Sequence, residues 1–277
     1  MAAPGSPAVL TILGSGTGLP DRAHHSAAFH IDCGTSKLLL DCGPGTLHGF
    51  DAYGVRWPEL THVAVSHYHT DHVGDLAAVL FALRTALRPR RTAPLTLIGP
   101  VGFGAFLRGL AAVLGDHLVS PGFELRVVEI APGASFVEPG GGFALEACTT
   151  PHTPESLAYR VSGPWGAVGY TGDTGPSTEV ARFLMACDVL IGECALSDPP
   201  SMDRHLSPAL LADLAAVAQP ELLVATHVYP PLSSNEAAEL VRGRYAGAAV
   251  GGQDGMAIRI GPEGPPAIDP PPTARYT

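Results

Sequence analysis

Basic residues are scarce in this sequence, and lysine is nearly absent. Lys37 is the only lysine, and the 16 Lys and Arg residues are outnumbered by 26 Asp and Glu, which gives a formal net charge of -10. A protein that binds nucleic acid over a broad surface neutralises backbone phosphates with Lys and Arg. The composition therefore argues against a general polyanion-binding surface, and any contact with nucleic acid would have to be local.

Paired cysteines and long apolar runs are also missing. The five cysteines form no C-x-x-C pair and leave one residue over, which favours free thiols in a reducing compartment over a disulfide framework. No apolar run approaches the length of a membrane span, and the first residues lack the basic and apolar regions of a signal peptide. We expect a soluble, cytoplasmic protein with no membrane partner.

The composition and the order of the predicted elements indicate a globular α/β chain. Hydrophobic residues make up 46% of the 277 residues and charged residues only 15%, which is typical of a protein with a substantial core. Strand-like segments alternate with helix-like segments, and two runs of consecutive strands interrupt the alternation. This order predicts an αββα sandwich, in which two mixed β-sheets are flanked by helices. We expect one domain over residues 1–262, followed by a loose, proline-rich tail over 263–277.

A glycine-rich turn follows the first predicted strand, at residues 14–18. Such a run can cradle a phosphate, but it lacks the Lys of a P-loop and no helical pattern follows it. A tight strand-to-strand turn is the favoured interpretation.

A dense cluster of ligand-type side chains follows the predicted strand at residues 62–66. Within Ser66-His67-Tyr68-His69-Thr70-Asp71-His72 there are three imidazoles and one carboxylate. Both groups are ligands suited to zinc, and also to manganese or iron. His67 and His69 alternate along an extended segment and can point the same way, while Asp71 and His72 fall on the following turn. The alternative, a polar loop that happens to be rich in histidine, does not explain this spacing.

Three further strand ends carry potential ligands. His152, Asp173 and His227 each follow a predicted strand, and strand ends that meet at one rim of a sheet are the usual place for a ligand site. Three His ligands for one ion, two His with an Asp for a second ion, and a shared carboxylate form a chemically sensible binuclear site. We expect two divalent metal ions, with Zn²⁺ favoured over Mn²⁺ or Fe.

These motifs resemble those of the metallo-β-lactamase superfamily. Within it, the chain is similar to the branch that contains ribonuclease Z and the phosphoribosyl cyclic phosphodiesterase of phosphonate breakdown. The resemblance covers the chain to about residue 260. It rests on the segment 66–72 quoted above and on Leu40-Asp41-Cys42-Gly43-Pro44-Gly45-Thr46, Ile98-Gly99-Pro100 and Gly252-Gln253-Asp254-Gly255-Met256.

The resemblance implies a role for each site residue. His67, His69 and His152 correspond to the ligands of one zinc, and Asp71, His72 and His227 to those of the other. Asp173 corresponds to the bridging carboxylate, and Asp41 to the aspartate that steadies the ligand loop. His205 and Glu193 correspond to residues beside the leaving group. Together with the ligand Asp71, they are the candidate catalytic residues. His205 has an alternative role as a loop residue before a helix, and Glu193 as a residue that only supports the site.

Hydrolysis of a small or cyclic phosphodiester by a metal-bridging hydroxide is the first functional hypothesis. The second is acyl hydrolysis of a lactone or thioester at the same metals, and the third is a metal-bearing scaffold without turnover. Common ribonucleases Z carry a long arm that grips transfer RNA, between the positions matched by His152 and Asp173, and this interval is too short for it. We therefore expect a small-molecule substrate and not intact transfer RNA, with a homodimer as the expected assembly.

Overall fold

The computed structural model describes residues 6–86 and 88–269, and within them two β-sheets pack face to face. The strands are numbered in chain order. The first sheet has eight strands in the order β15-β14-β1-β2-β3-β4-β5-β6. They are β1 (Ala8–Gly14), β2 (Ala28–Cys33), β3 (Ser36–Leu40), β4 (His62–Ala64), β5 (Leu95–Pro100), β6 (Leu125–Ile130), β14 (Ala257–Gly261) and β15 (Gly264–Asp269).

The second sheet has seven strands in the order β13-β12-β11-β10-β9-β8-β7. They are β7 (Ser135–Val137), β8 (Ala144–Thr149), β9 (Leu157–Gly163), β10 (Gly166–Tyr170), β11 (Val189–Glu193), β12 (Leu222–Thr226) and β13 (Ala248–Gly251). Each sheet is mixed: β3 to β6 and β10 to β13 run parallel, and the remaining neighbours are antiparallel.

Helices cover the outer face of each sheet. The α-helices are α1 (Thr46–Ala52), α2 (Thr70–Val73), α3 (Leu76–Thr85), α4 (Phe103–Leu114), α5 (Thr178–Phe183), α6 (Pro208–Ala218) and α7 (Ser234–Arg242), with 3-10 turns at Trp57–Glu59 and Asp116–Leu118. The first four share a buried apolar cluster with the first sheet, and the last three share one with the second sheet. Among the described residues, no helix has the length and apolar character needed to cross a membrane.

Strand alternation divides the core into its layers. Leu38 and Leu40 of β3 point into the cluster between the two sheets, which also contains Tyr159. Leu39, the residue between them, points outward into the cluster with Phe50 of α1. Because successive side chains of a strand face opposite sides, a continuous apolar run can serve a sheet buried on both faces. The expected αββα sandwich with two mixed sheets is confirmed.

The predicted loose tail is wrong for its first residues. Gly264–Asp269 forms β15, which pairs antiparallel with β14 at the edge of the first sheet. Proline is tolerated in an edge strand, where no second neighbour needs its missing N–H group, so Pro265 and Pro266 do not prevent pairing. Residues 270–277 of the predicted tail lie outside the described residues.

The ends of six strands deliver the candidate site residues to one rim of the sandwich. Asp41 directly follows β3, and His67 lies just beyond β4. The ends of β8, β10 and β12 lead to His152, Asp173 and His227, and Glu193 is the last residue of β11. The glycine-rich residues 14–18 begin the connection between the antiparallel strands β1 and β2. This connection runs from residue 15 to residue 27, so it joins two strands as predicted but is not a tight turn.

Candidate metal centre

One group of ligand atoms surrounds Oδ2 of Asp173. His67 Nε2 lies 3.0 Å from His69 Nδ1, and His69 Nδ1 lies 3.1 Å from His152 Nε2. Asp173 Oδ2 lies 3.8 Å from His67 Nε2 and 3.6 Å from His152 Nε2. Ligand atoms at zinc-bond length from a tetrahedral ion are roughly 3.3 Å apart. These four residues therefore have the spacing of a single ligand set.

A second group surrounds Oδ1 of the same carboxylate. Asp173 Oδ1 lies 3.2 Å from His72 Nε2 and 3.7 Å from His227 Nε2. Asp71 Oδ2 completes the group, at 3.2 Å from His227 Nε2 and 3.8 Å from His72 Nε2. The spacing again matches one tetrahedral ligand set.

Asp173 joins the two groups, because each of its oxygens faces a different set of imidazoles. Its Oδ1 atom is buried and accepts no hydrogen bond from the described residues, and the same is true of Nδ1 of His227. A buried polar atom without a partner is costly and calls for an explanation. A cation between Asp173 and its imidazoles explains the unpartnered oxygen, so the residues present fit two divalent ions.

Burial holds two of the candidate ligands, His67 and His152, in the form that binds a metal. Burial lowers the pKa of His67 to about 2, and burial also lowers the pKa of His152; a neutral ring offers a lone pair. His152 donates from Nδ1 to the carbonyl of Arg204 at 3.0 Å, which leaves Nε2 as the acceptor that faces His69. Hydrogen bonds on the far side of a ring fix its tautomer in this way.

Asp41 orients a ligand of the second set by accepting a hydrogen bond from the far side of the His72 ring. It is completely buried, and its Oδ2 accepts from His72 Nδ1 at 2.7 Å, Ser66 Oγ at 2.7 Å and Tyr170 Oη at 2.5 Å. Its Oδ1 accepts from the backbone N–H of Ser66 at 2.6 Å. Although burial disfavours a charged ring, the charges of Asp173 and Asp41 and their hydrogen bonds hold the pKa of His72 well above its usual value. Both the ring of His72 and the start of the ligand loop are therefore anchored to one carboxylate.

Sequence reasoning assigned no role to Tyr170 or Asp254, which both support this site. Asp254 Oδ1 accepts from the backbone N–H and the hydroxyl of Ser15, both at 2.8 Å. The carbonyl of Ser15 in turn accepts the N–H of His227 at 2.8 Å, and His227 has a left-handed backbone with φ 55. Asp254 thus stabilises the unusual backbone of a candidate ligand through Ser15. Asp254 lay inside the recognised motif Gly252-Gln253-Asp254-Gly255-Met256, which was the available signal, whereas Tyr170 is the last residue of a strand that leads to the predicted ligand Asp173.

His205 lies next to the two ligand sets and is oriented by Glu193. Its Nδ1 donates to Glu193 Oε1 at 2.9 Å and lies 4.0 Å from Asp173 Oδ2. Its ring is half-buried and meets the ring of His152 edge-on, with 4.7 Å between centroids. Burial alone would lower the pKa of His205, but the hydrogen bond and charge of Glu193, with Asp173, hold that pKa above its usual value. Since Nδ1 is engaged, Nε2 is the ring atom that can meet a substrate.

Glu193 differs from the catalytic role that the resemblance suggested. Its Oε1 also accepts from the N–H of Thr174 at 2.9 Å, and its Oε2 accepts from the N–H groups of Ala195 and Leu206 at 3.0 and 3.2 Å. The carboxylate is buried, at 2% exposure, and both oxygens are occupied. These contacts suit a residue that positions His205 and the loop after β11, and not one that touches a substrate.

The sequence of the chain identifies its family. Residues 36–228 match the family described as the beta-lactamase superfamily domain, and this segment contains every candidate metal ligand. The chain belongs to this family. The resemblance predicted from the motifs is therefore confirmed, and so is the general expectation of a metal-dependent hydrolase. A metallo-β-lactamase fold implies divalent metal ions, and the groups of His and Asp side chains described above could hold them.

Curated and structural relatives are consistent with this assignment. A ribonuclease Z of Exiguobacterium sp. is 34% identical over 155 residues, an alignment that spans 56% of this chain and 49% of that protein. The metallo-beta-lactamase fold protein YhfI of Bacillus subtilis superposes with a TM-score of 0.79 at 20% identity and covers 92% of this chain and 100% of its own. The short form of human tRNase Z has a TM-score of 0.71 at 22% identity, with 90% and 98% covered. At such identities the structural likeness shows the fold alone.

Proposed function

We propose that this protein is a binuclear metal-dependent phosphodiesterase that acts on a small or cyclic phosphodiester. The observation that carries the proposal is His205, an oriented imidazole with a free Nε2 placed beside both ligand sets. The relative from Exiguobacterium is named a ribonuclease, which acts on RNA, and RNA is a phosphodiester. A small substrate is supported by the interval from His152 to Asp173, where the chain forms only the compact β9–β10 hairpin.

The proposed ligands divide into two sets around one bridge. His67, His69 and His152 with Asp173 would hold one ion, and Asp71, His72 and His227 with Asp173 the other; zinc is the expected metal, with manganese or iron as alternatives. Two bound ions would supply an activated water nucleophile at neutral pH and neutralise charge on the phosphoryl group. Asp41 and Asp254 keep the ligands in place before substrate arrives.

His205 contributes the proton that the departing group needs. Its Nδ1–H is committed to Glu193, so the ring can donate only from Nε2 toward the substrate. An alkoxide is a poor leaving group, and a positioned acid is worth about 10²–10⁴ in rate. Glu193 acts through His205: it orients the ring and favours its charged form. Asp71, proposed above as both ligand and catalytic residue, lies against His227.

The test compares two leaving groups. His205→Ala should lower kcat on an alkyl or cyclic phosphodiester by about 10²–10⁴ but should change kcat on a p-nitrophenyl phosphodiester much less, because p-nitrophenolate leaves without protonation. Metal content, measured by atomic emission, should stay at the wild-type value. His48→Ala, at an exposed position on α1, is the matched control.

Other results would separate the remaining hypotheses. Equal losses on both substrates would mean that His205 binds the phosphoryl group and donates no proton. No loss on either substrate, together with hydrolysis of lactones or thioesters, would contradict the phosphodiesterase and support an acyl hydrolase. Absence of turnover on the whole panel by the metal-loaded protein would support the scaffold hypothesis. Homodimerisation and cytoplasmic location stay predictions.

A further inference from the structure

Tyr229 lies beside the candidate metal centre, and the proposed mechanism gives it no role. It comes two residues after the candidate ligand His227, and its backbone N–H donates to the carbonyl of Ala195 at 3.2 Å. Its half-buried ring meets the ring of His227 edge-on, with 5.6 Å between centroids and 79° between planes. A backbone contact and a ring contact therefore fix Tyr229 relative to this ligand.

The hydroxyl of Tyr229 lies against the connection between β1 and β2. Its hydrogen-bond partners there are the backbone N–H of Gly18 and the hydroxyl of Thr17. Thr17 is itself fixed: it is buried, its carbonyl accepts from Ser26 Oγ at 2.9 Å, and its Oγ1 accepts from the N–H of Leu19 at 3.1 Å. The phenol oxygen is therefore held at a defined point of the rim.

Gly18 also brings this hydroxyl close to Asp71. A Cβ atom at Gly18 would lie 3.4 Å from Asp71 Oδ2 and 3.7 Å from Tyr229 Oη, so both oxygens border one small space. Because glycine has no side chain, the space is left open. Asp71 Oδ2 lies 3.2 Å from His227 Nε2, and both belong to the ligand set proposed for the second ion. The Tyr229 hydroxyl therefore stands next to that set.

The hydroxyl is suited to donate a hydrogen bond in this place. An ordinary phenol has a pKa of about 10 and keeps its proton at neutral pH. The N–H of Gly18 can only donate, so it occupies a lone pair of the phenol oxygen and leaves the O–H for another acceptor. Asp71 acts on Tyr229 through its charge and not through a hydrogen bond. An O–H group so placed favours an acceptor that the substrate supplies.

Tyr229 and His205 contact the same candidate ligand in different ways. The ring of His205 is nearly parallel to that of His227, with 14° between planes and 6.0 Å between centroids, whereas the ring of Tyr229 is nearly perpendicular to it. His205 Nδ1 lies 4.0 Å from Asp173 Oδ2, the oxygen that faces the first ligand set, and Tyr229 lies beside Asp71 of the second. The two polar groups are therefore placed to reach different atoms of one phosphoryl group.

We propose that Tyr229 is a further catalytic residue, whose hydroxyl donates a hydrogen bond to a non-bridging oxygen of the phosphoryl group beside Asp71. The inference rests on the proposed phosphodiesterase and adds a donor that acts on the phosphoryl group and not on the leaving group. Donors that are already aimed at a charged oxygen stabilise the transition state without any reorganisation.

The first experiment removes only the hydroxyl. Tyr229→Phe keeps the ring against His227, and kcat of the zinc-loaded protein should fall about 10–100-fold, as expected for a hydrogen bond to a charged group. The factor should be the same for an alkyl phosphodiester and its p-nitrophenyl analogue, in contrast to His205→Ala. The matched control is Tyr245→Phe, which removes a hydroxyl that donates to the carbonyl of Pro220 at 3.2 Å, near the start of β12 and away from the site.

Two binding measurements separate a catalytic hydroxyl from a structural one. Calorimetry of the zinc-loaded protein should show that inorganic phosphate binds about 10-fold more weakly to Tyr229→Phe than to the wild type. Competition with a chromophoric chelator should show the same zinc affinity in both. Tyr245→Phe should match the wild type in both measurements.

Each combination of results has a distinct meaning. Unchanged turnover and unchanged phosphate binding in Tyr229→Phe would overturn the inference and leave the phosphodiesterase intact. A lower zinc affinity would also overturn it, because Tyr229 would then support Asp71 and not the substrate. A loss confined to the alkyl substrate would place Tyr229 at the leaving group and overturn it as well. No turnover of either diester by the wild type, with phosphate binding that depends on Tyr229, would overturn the proposed function and support the hydroxyl as a donor to a phosphoryl oxygen.

Discussion

Asp173 is the residue on which the two candidate ions depend together, since Oδ1 faces His72 and Oδ2 faces His67. Asp173→Ala should lower the zinc content from two ions per chain to well below one, because each ion loses one of four ligands. Atomic emission on dialysed protein measures the ratio. Asp213→Ala, at an exposed position of α6, should retain both ions. Loss of only one ion from Asp173→Ala would contradict the bridge.

We expect Asp41 to affect the binding of one ion indirectly, because it accepts a hydrogen bond from the ring of His72. Asp41→Asn should weaken zinc binding by about 10–100-fold, as expected when a carboxylate behind a ligating histidine is removed. Tyr170→Phe removes only one hydrogen bond to Asp41 and should cause a smaller loss. Competition with a chromophoric chelator measures both affinities, and an unchanged affinity in Asp41→Asn would show that the network is not needed to orient His72.

At the scale of single residues, the sequence points to candidate ligands more readily than to the residues that support them. His67, His69, Asp71 and His72 stand together in the chain, so local spacing reveals them. The contacts of Asp254 with Ser15 and of Tyr170 with Asp41 join residues 239 and 129 positions apart. Such contacts exist only in the folded chain. Glu193 is the opposite case: the sequence suggested a catalytic role, and only the folded structure shows that both of its carboxylate oxygens already accept hydrogen bonds.

At the scale of elements, β2 and β4 each bury a histidine that has no ligand role. Burial lowers the pKa of His30 and of His62 to about 4, and His62 lies between the rings of Phe136 and Phe143. Above pH 6.5 these rings are neutral in both the folded and the unfolded chain. Between pH 6.5 and about 4 the unfolded chain binds protons that the folded chain does not, so the free energy of unfolding falls as the pH falls.

His62→Leu should therefore reduce the loss of stability in acid. For a shift from 6.5 to about 4, one group contributes roughly 3 kcal/mol of acid destabilisation at most. Urea unfolding at pH 7 and pH 4.5 measures the difference for the wild type, His62→Leu and the exposed control His48→Leu. If the free energy of unfolding falls by the same amount between pH 7 and pH 4.5 in the wild type and in His62→Leu, then His62 is protonated in the folded protein.

The boundaries of elements were predicted less well than their existence. Apolar residues at helical spacing predict one helix over residues 73–87, whereas α3 spans Leu76–Thr85 and is separated from α2 by Gly74 and Asp75. At the break, Asp75 bonds to the loop after β3: its N–H donates to the carbonyl of Cys42 at 2.9 Å, and its Oδ2 accepts from the N–H groups of Gly45 and Leu47 at 3.1 Å. Apolar periodicity does not reveal such a contact.

At the scale of the whole molecule, charge and shape both oppose a large RNA substrate. The chain carries a net charge of -10, and only a hairpin stands where common ribonucleases Z carry their gripping arm. We expect kcat/KM for trimming of a precursor transfer RNA at physiological salt to be at least about 10³-fold below that of a ribonuclease Z, given the loss of phosphate contacts. A gel assay with a known ribonuclease Z as positive control measures this. Comparable trimming by both proteins would contradict the prediction.

The pairing of β1 with β14, and of Ser15 with Asp254, has a consequence for how the protein is made. A ribosome synthesises the chain from its amino end, so Ser15, which supports His227, is made 239 positions before its anchor Asp254. Leu10 likewise waits for Ile258 before β1 gains its second neighbour in the sheet. Every candidate metal ligand is synthesised before this anchor. The hydrogen bonds from Ser15 to Asp254 are therefore absent until the last candidate ligand has been made, and we expect the complete site to form only after Asp254 is in place.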